Sequence, residues 1–139
     1  MEQLKILVVE DNLAHLRILQ YVIQRNKINA NLFYASDGQD ALNFLFKEDS
    51  YSNNADIPTP NLILLDLNLP KRDGREVLKI IKEHDQLKEI PVVIVSTSDR
   101  EEDISYAKTY GAAAYISKSV GFDNFNHQIS QISKYAKLI

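Results

Sequence analysis

Two hydrophobic periods alternate along this chain. Leu4 to Val9 is an apolar run broken only by Lys5 and closed by Glu10-Asp11-Asn12, the pattern of a buried strand that ends in acid. Asn12 is placed to cap a helix from Leu13 to about Asn26, since Leu16, Leu19, Val22 and Ile23 share one helical face. Asn31 to Ala35 reads as a short second strand, which Ser36-Asp37-Gly38 turns into a helix carrying Ala41, Leu42, Leu45 and Phe46. Lys47 to Pro60 is polar, holds two prolines and keeps no period, so a long surface loop is expected there.

The sharpest boundary follows. Uncharged Leu62-Ile63-Leu64-Leu65 stops at Asp66, and Pro70, Asp73 and Gly74 forbid the strand to continue. Arg75 to Glu83 predicts a helix that presents Val77, Leu78, Ile80 and Ile81. Pro91 opens a fourth strand, Val92 to Val95, which runs into Ser96-Thr97-Ser98-Asp99. Glu101 to Tyr110 is a weaker helix with Ile104 and Ala107 inward and Gly111 as its cap. Ala114 to Ser117 makes a fifth strand ending at Lys118. A last helix starts near Phe122 and sets Phe122, Phe125, Ile129, Ile132 and Ala136 at spacings of three and four.

Strands alternating with helices, and mostly free of internal charge, imply an α/β protein: a parallel sheet covered on both faces, doubly wound. In such sheets reactive groups gather beyond the carboxyl ends of the strands, where the winding reverses. Glu10, Asp11, Asp66, Ser96 and Lys118 all follow the carboxyl end of an apolar run. That coincidence on one sheet edge favours a site over isolated loop residues.

Composition narrows the chemistry. At 139 residues the chain suits one domain spanning 1–139, with no room for a second folded module. A net charge of −3, with no concentration of Lys and Arg, argues against a nucleic-acid partner. The chain has no cysteine, hence no disulfide, thiolate nucleophile or cysteine-type zinc site. Neither a signal segment nor a run long enough to cross a bilayer occurs, which predicts a cytoplasmic location and no membrane association. His15, His84 and His127 share no spacing and read as solvated surface residues.

If the first and third strands are neighbours, Glu10, Asp11 and Asp66 converge, and carboxylates so crowded are relieved by protonation or by a hard cation. Mg²⁺ suits this oxygen-only set, with ligands expected from Asp11, Asp66 and the main-chain carbonyl of Asn68, and from Glu10 through water. Lys118 supplies positive charge and Ser96 a hydroxyl, the parts needed to hold a tetrahedral dianion. Taken singly, Asp66 serves equally as a loop cap, Lys118 as a solvated lysine and Ser96 as a loop hydroxyl.

In sum these residues resemble a receiver domain of the two-component response-regulator family over essentially the whole chain. The acidic pair Glu10-Asp11, then Asp66, Ser96 and Lys118 after successive strands, with Asp37-Gly38 and Asp73-Gly74 before two helices, carry the resemblance. It implies the flavodoxin-like receiver fold, a five-stranded sheet in the order 2-1-3-4-5 with five helices. It further implies that Asp66 accepts a phosphoryl group from a histidine kinase, that Mg²⁺ is required, and that Ser96 and Lys118 contact the phosphoryl oxygens. Thr97 competes with Ser96 for the hydroxyl role; Ser96 is preferred because the apolar run ends immediately before it. Tyr115 matches the family's aromatic switch position, paired with Ser96. Ser119 stands where most receivers have proline, which puts the usual loop geometry after Lys118 in question.

The loop of Lys47 to Pro60, the segment DLNLPKRDGREVL and Lys118-Ser119 are similar to the single-domain regulators paired with phytochrome-type kinases. A chain that stops at Ile139 leaves no room for an output domain, so output through protein association is expected, with Tyr106, Tyr110, Tyr115 and the stretch from Tyr135 to Ile139 as a possible homodimer patch or as ordinary packing. The alternative is a haloacid-dehalogenase-like aspartyl phosphatase, an enzyme rather than a switch, since Asp66-Leu67-Asn68 resembles its nucleophile motif; there a second acid stands in place of Asn68. A flavin-binding module of this topology is disfavoured because Glu10 and Asp11 would repel the flavin phosphate.

Overall fold

Strand β3 (Leu62–Leu65) buries all four of its side chains, so it needs neighbours on both sides and helices on both faces. The computed structural model, which describes residues 3–48, 51–52 and 57–137, supplies both. Around β3 run β1 (Leu4–Val9), β2 (Ala30–Ala35), β4 (Val92–Ser96) and β5 (Ala114–Ser117), all parallel, in the order β2-β1-β3-β4-β5. Helices α1 (Leu13–Arg25), α2 (Gly38–Phe46), α3 (Gly74–Glu83), α4 (Glu101–Thr109) and α5 (Phe122–Ser130) make the connections. The doubly wound α/β architecture expected from the pattern is therefore the one formed.

The pleat divides the core into two layers. Ile6, Val8, Leu62, Leu64, Val93 and Val95 face α1 and α5, meeting Leu19, Val22, Ile23, Phe125 and Ile129. Leu7, Val9, Ile63, Leu65 and Ile94 face the other way, onto α2, α3 and Ala107 of α4.

Two aspartate-glycine pairs set the helix starts at the functional edge. Asp37 caps α2 by accepting from the Asp40 amide at 2.7 Å, and Asp73 caps α3 by accepting from the Arg75 amide at 2.7 Å. The glycines answer a different need. A Cβ on Gly74 would lie 2.1 Å from the Asp66 carbonyl oxygen, and one on Gly38 would lie 2.1 Å from that of Arg72. Helix α3 can thus press directly against the backbone of the residue that leaves β3.

Three expectations change. Ile104 does not point inward: it is 40% exposed, and Asp103 takes the buried position beside Ala107, held there by Arg75. The last helix stops at Ser130 and continues as a 3₁₀ turn, Ile132–Tyr135. Ile132 remains buried, Ala136 is half-buried and Phe122 is exposed. Beyond the turn the Lys137 amide donates to the Asn61 carbonyl at 3.0 Å while the Asn61 side-chain amide donates to the Lys137 carbonyl at 2.9 Å, which ties the chain end to the start of β3. In the expected loop, Tyr51 packs edge-on against Phe44 and its hydroxyl donates to Asp40 at 2.9 Å; residues 49–50 and 53–56 lie outside the described residues. Leu138 and Ile139 of the candidate dimer patch do so too.

Gly74→Ala should cost about 1–3 kcal/mol, because the methyl cannot enter without moving the Asp66 backbone. Urea unfolding of the two proteins measures the difference.

Candidate functional site

Register brings the acids together. Val9 pairs with Leu65, so the chain leaves β1 at Glu10 beside the point where it leaves β3 at Asp66. The Asp66 amide donates to the Val9 carbonyl at 3.1 Å and the Glu10 amide to that of Ala35 at 3.1 Å. Glu10, Asp11 and Asp66 each place a carboxylate oxygen so that all three lie within 4.8 Å of one another. Glu10 and Asp66 are buried whereas Asp11 is exposed to solvent.

Lys118 answers that charge from the end of β5. Its amide donates to the Ser96 carbonyl at 2.8 Å, and its ammonium donates to Glu10 Oε1 and, at 3.2 Å, to Asp66 Oδ2. Burial pushes the Glu10 carboxyl up from its ordinary range, and the hydrogen bond and charge of Lys118 oppose that rise. The second oxygens of both acids are engaged by main chain. The Asn12 amide donates to Glu10 Oε2 at 3.2 Å and the Asn68 amide to Asp66 Oδ1 at 3.1 Å. Asn68, expected to contribute its carbonyl, is seen to orient Asp66 through its N–H.

The hydroxyl positions divide. Ser96 is fully buried and its Oγ accepts from the Ser98 amide at 3.2 Å. Thr97 is exposed and lines, with Lys118 and Glu10, a cavity of about 250 Å³ that opens between α1 and α5 over Ile18, Leu19 and Phe125. Half-buried Tyr115 donates its hydroxyl to the Ser98 carbonyl at 2.7 Å, so Ser96 and Tyr115 meet on the same three-residue loop. Burial raises the Tyr115 hydroxyl above its ordinary value. No peptide bond among the described residues is cis. After Lys118, the Ser119 amide donates to Ser117 Oγ at 3.1 Å and its hydroxyl to the Thr97 carbonyl at 3.0 Å, so serine fastens the loop that proline would stiffen.

Two features escaped the sequence. His15, expected on the solvated surface, lies with Nδ1 at 3.3 Å from Lys118 Nζ. Its position in the first turn of α1, next to the acid-ending strand, was the available signal. The other is an ion pair: Arg75 of α3 grips Asp103 of α4 through Nε at 2.7 Å and Nη2 at 2.9 Å. Ser98 donates its hydroxyl to the same carboxylate at 2.5 Å, and Arg75 also reaches Asp73 at 3.1 Å. The guanidinium holds the Asp103 carboxyl down at about 2, from 3.8. Tyr106 completes the contact by donating to the Arg75 carbonyl at 3.0 Å. Nothing in a single sequence pairs residues this far apart.

This edge of acids, lysine and hydroxyl on a parallel sheet meets its counterpart in known proteins. A family model described as the response regulator receiver domain matches residues 6–130. The chain belongs to that family. The receiver is 41% identical over 130 residues to response regulator Rcp1 of Synechocystis sp., covering 94% of this chain and 86% of that protein. The crystal structure of the Mn²⁺-bound form of Rcp1 superposes with a TM-score of 0.84 at 40% identity, over 95% of this chain and 93% of that one. That of the phosphorylated cyanobacterial phytochrome response regulator RcpA gives 0.85 at 38% identity, over 97% and 94%. The receiver's sheet has the order β2-β1-β3-β4-β5, and no described helix is long and apolar enough to cross a membrane.

Asp103→Asn should lower stability at neutral pH by about 2 kcal/mol, the equivalent of the depressed carboxyl pKa. The Asp103 contribution is complete above the unfolded value of 3.8 and disappears as pH falls toward about 2. Urea titrations at pH 7 and near the lower value should therefore show native and variant proteins converging in acid.

Proposed function

We propose that this receiver is a phosphorylation-dependent switch that takes a phosphoryl group on Asp66 from the phosphohistidine of a sensor histidine kinase. One observation carries the reading: Lys118 bonds Asp66 and Glu10 together while Asp11 offers a third oxygen within 4.8 Å. The donor set is oxygen-only and acidic, which fits Mg²⁺. Glu10, Asp11, Asp66 and the Asn68 carbonyl would hold it, and a bound Mg²⁺ supplies charge neutralisation for the incoming phosphoryl oxygens. That the similar regulator Rcp1 is known in a Mn²⁺-bound form supports a divalent ion for this chain as well.

The chain's own groups then divide the work. An Asp66 carboxylate oxygen attacks phosphorus; the O–P bond forms as the N–P bond of the donor breaks, and the imidazole nitrogen keeps the electron pair. The Asn68 amide keeps Asp66 Oδ1 oriented. Lys118, already 3.2 Å from Oδ2, turns its charge to a phosphoryl oxygen. Ser96 and Thr97 supply hydroxyl and loop amides to the remaining oxygens. Drawing Ser96 toward phosphate disturbs the Ser98 loop to which Tyr115 is bonded, so the surface of α4, β5 and α5 changes with the state of Asp66.

Output then comes through association of a single-domain regulator in the cytoplasm, with a phytochrome-like kinase upstream by similarity to RcpA. A homodimer through the α4–β5–α5 surface is the partner arrangement we favour, where Ile104 is 40% exposed. Such a protein promotes its own phosphotransfer and slow self-dephosphorylation and is otherwise no enzyme.

Incubation with acetyl phosphate and Mg²⁺, read by intact mass, tests this directly. The native chain should gain one phosphoryl group, whereas Asp66→Asn should gain none and chelation of the cation should abolish labelling. Equal labelling of Asp66→Asn would remove Asp66 from its role. Lys118→Ala should label more slowly, by roughly tenfold to a hundredfold for loss of a charge-assisted hydrogen bond. An unchanged rate would show that the ammonium does not act on the phosphoryl group.

A further inference from the structure

An ammonium group has three N–H donors and no acceptor. In the resting protein all three of Lys118 face a partner: Glu10 Oε1, Asp66 Oδ2 at 3.2 Å and His15 Nδ1 at 3.3 Å. Two are carboxylates and the third is an imidazole, which can accept at Nδ1 only when its proton sits on Nε2. His15 is held at this place by its helix, since its own amide donates to the Asn12 cap at 3.1 Å. Its ring lines the same cavity as Lys118, so the contact borders the space open to a donor approaching from between α1 and α5.

We infer that His15 is a positioning residue for phosphotransfer: its Nδ1 keeps the Lys118 ammonium on the cavity side of Asp66 and is the partner given up when a phosphoryl oxygen arrives. The inference rests on Asp66 being the phosphoacceptor. Its physical basis is the ranking of the three acceptors. An ammonium is held more strongly by a carboxylate, which carries the opposite charge, than by a neutral imidazole. Replacing the imidazole by a phosphoryl oxygen exchanges a weak bond for a strong one, whereas replacing Glu10 or Asp66 exchanges strong for strong. Without His15 the lysine side chain gains rotamer freedom and settles toward Glu10, away from Asp66.

The side-chain chemistry provides its own control. Asparagine carries an acceptor oxygen at the same bond distance from the helix as Nδ1, while leucine has similar bulk and no acceptor. With acetyl phosphate and Mg²⁺, His15→Leu should slow initial labelling of Asp66 about threefold to tenfold, the loss of one modest hydrogen bond, and His15→Asn should stay within about twofold of native. In a Lys118→Ala background His15→Leu should add nothing. A native rate in His15→Leu, equal slowing in both variants, or a full additional effect without Lys118 would each overturn the inference. The contact has a readout independent of labelling. The ¹⁵N resonance of His15 Nδ1 should report an unprotonated acceptor and should move in Lys118→Met. If the native chain takes no label, the reading of Asp66 fails by itself; an Nδ1 resonance indifferent to Lys118 would instead overturn the role of His15.

Discussion

Crowding of negative charge at the carboxyl edge of the sheet is the constraint on which this molecule depends. Asp66 and Glu10 are buried and, with Asp11, bring three carboxylate oxygens within 4.8 Å. Unrelieved, that arrangement would drive protonation or open the edge. Lys118 relieves part of it, since its ammonium bonds both buried acids. The rise of the Glu10 carboxyl above its ordinary range is what the lysine leaves uncompensated. A pocket that is short of positive charge at rest is one prepared for a divalent cation, so the discomfort of the resting state and the chemistry of the family share one cause.

The fold exists to keep that edge in place. Fully buried β3 and β4, and the buried half of β1 from Ile6 to Val9, cannot shift register without turning their side chains to the wrong layer, and the pairing of Val9 with Leu65 fixes where the two chain segments emerge. Gly74 lets the start of α3 touch the Asp66 carbonyl, and the Asn68 amide holds one carboxylate oxygen. Rigid placement on strand ends, with the loops tied back by their own amides, gives sub-ångström control that a mobile loop would not.

A second set of bonds carries the edge outward. Arg75 belongs to the helix that packs on Asp66, Asp103 to the neighbouring helix α4, and Ser98 bonds Asp103 through its hydroxyl and Tyr115 through its carbonyl. The ion pair is almost dry on the acid side, with Asp103 3% exposed, and so resists screening by salt. The Ser96–Ser98 loop is therefore bonded to both α4 and Tyr115. These bonds join α3, α4 and β5 through the Ser96–Ser98 loop.

Local pattern by itself determined most of the architecture: five apolar runs, the helices between them, and acids, hydroxyl and lysine after the strands could be read because strand burial and helical amphipathicity are periodic in sequence. The Asp-Gly pairs were legible as helix starts, although their steric reason was not. Tertiary structure alone decided which side chains touch. His15 read as a surface residue because its partner lies 103 positions away, and nothing in the sequence near Asp103 announced Arg75 as its partner. Ile104 and the end of α5 were misplaced for the same reason: a buried ion pair turned one helix, and the Asn61 clamp on Lys137 favoured a tighter turn after the other. Periodicity records each element's own burial, whereas contacts between elements depend on register and packing that no single stretch of sequence contains.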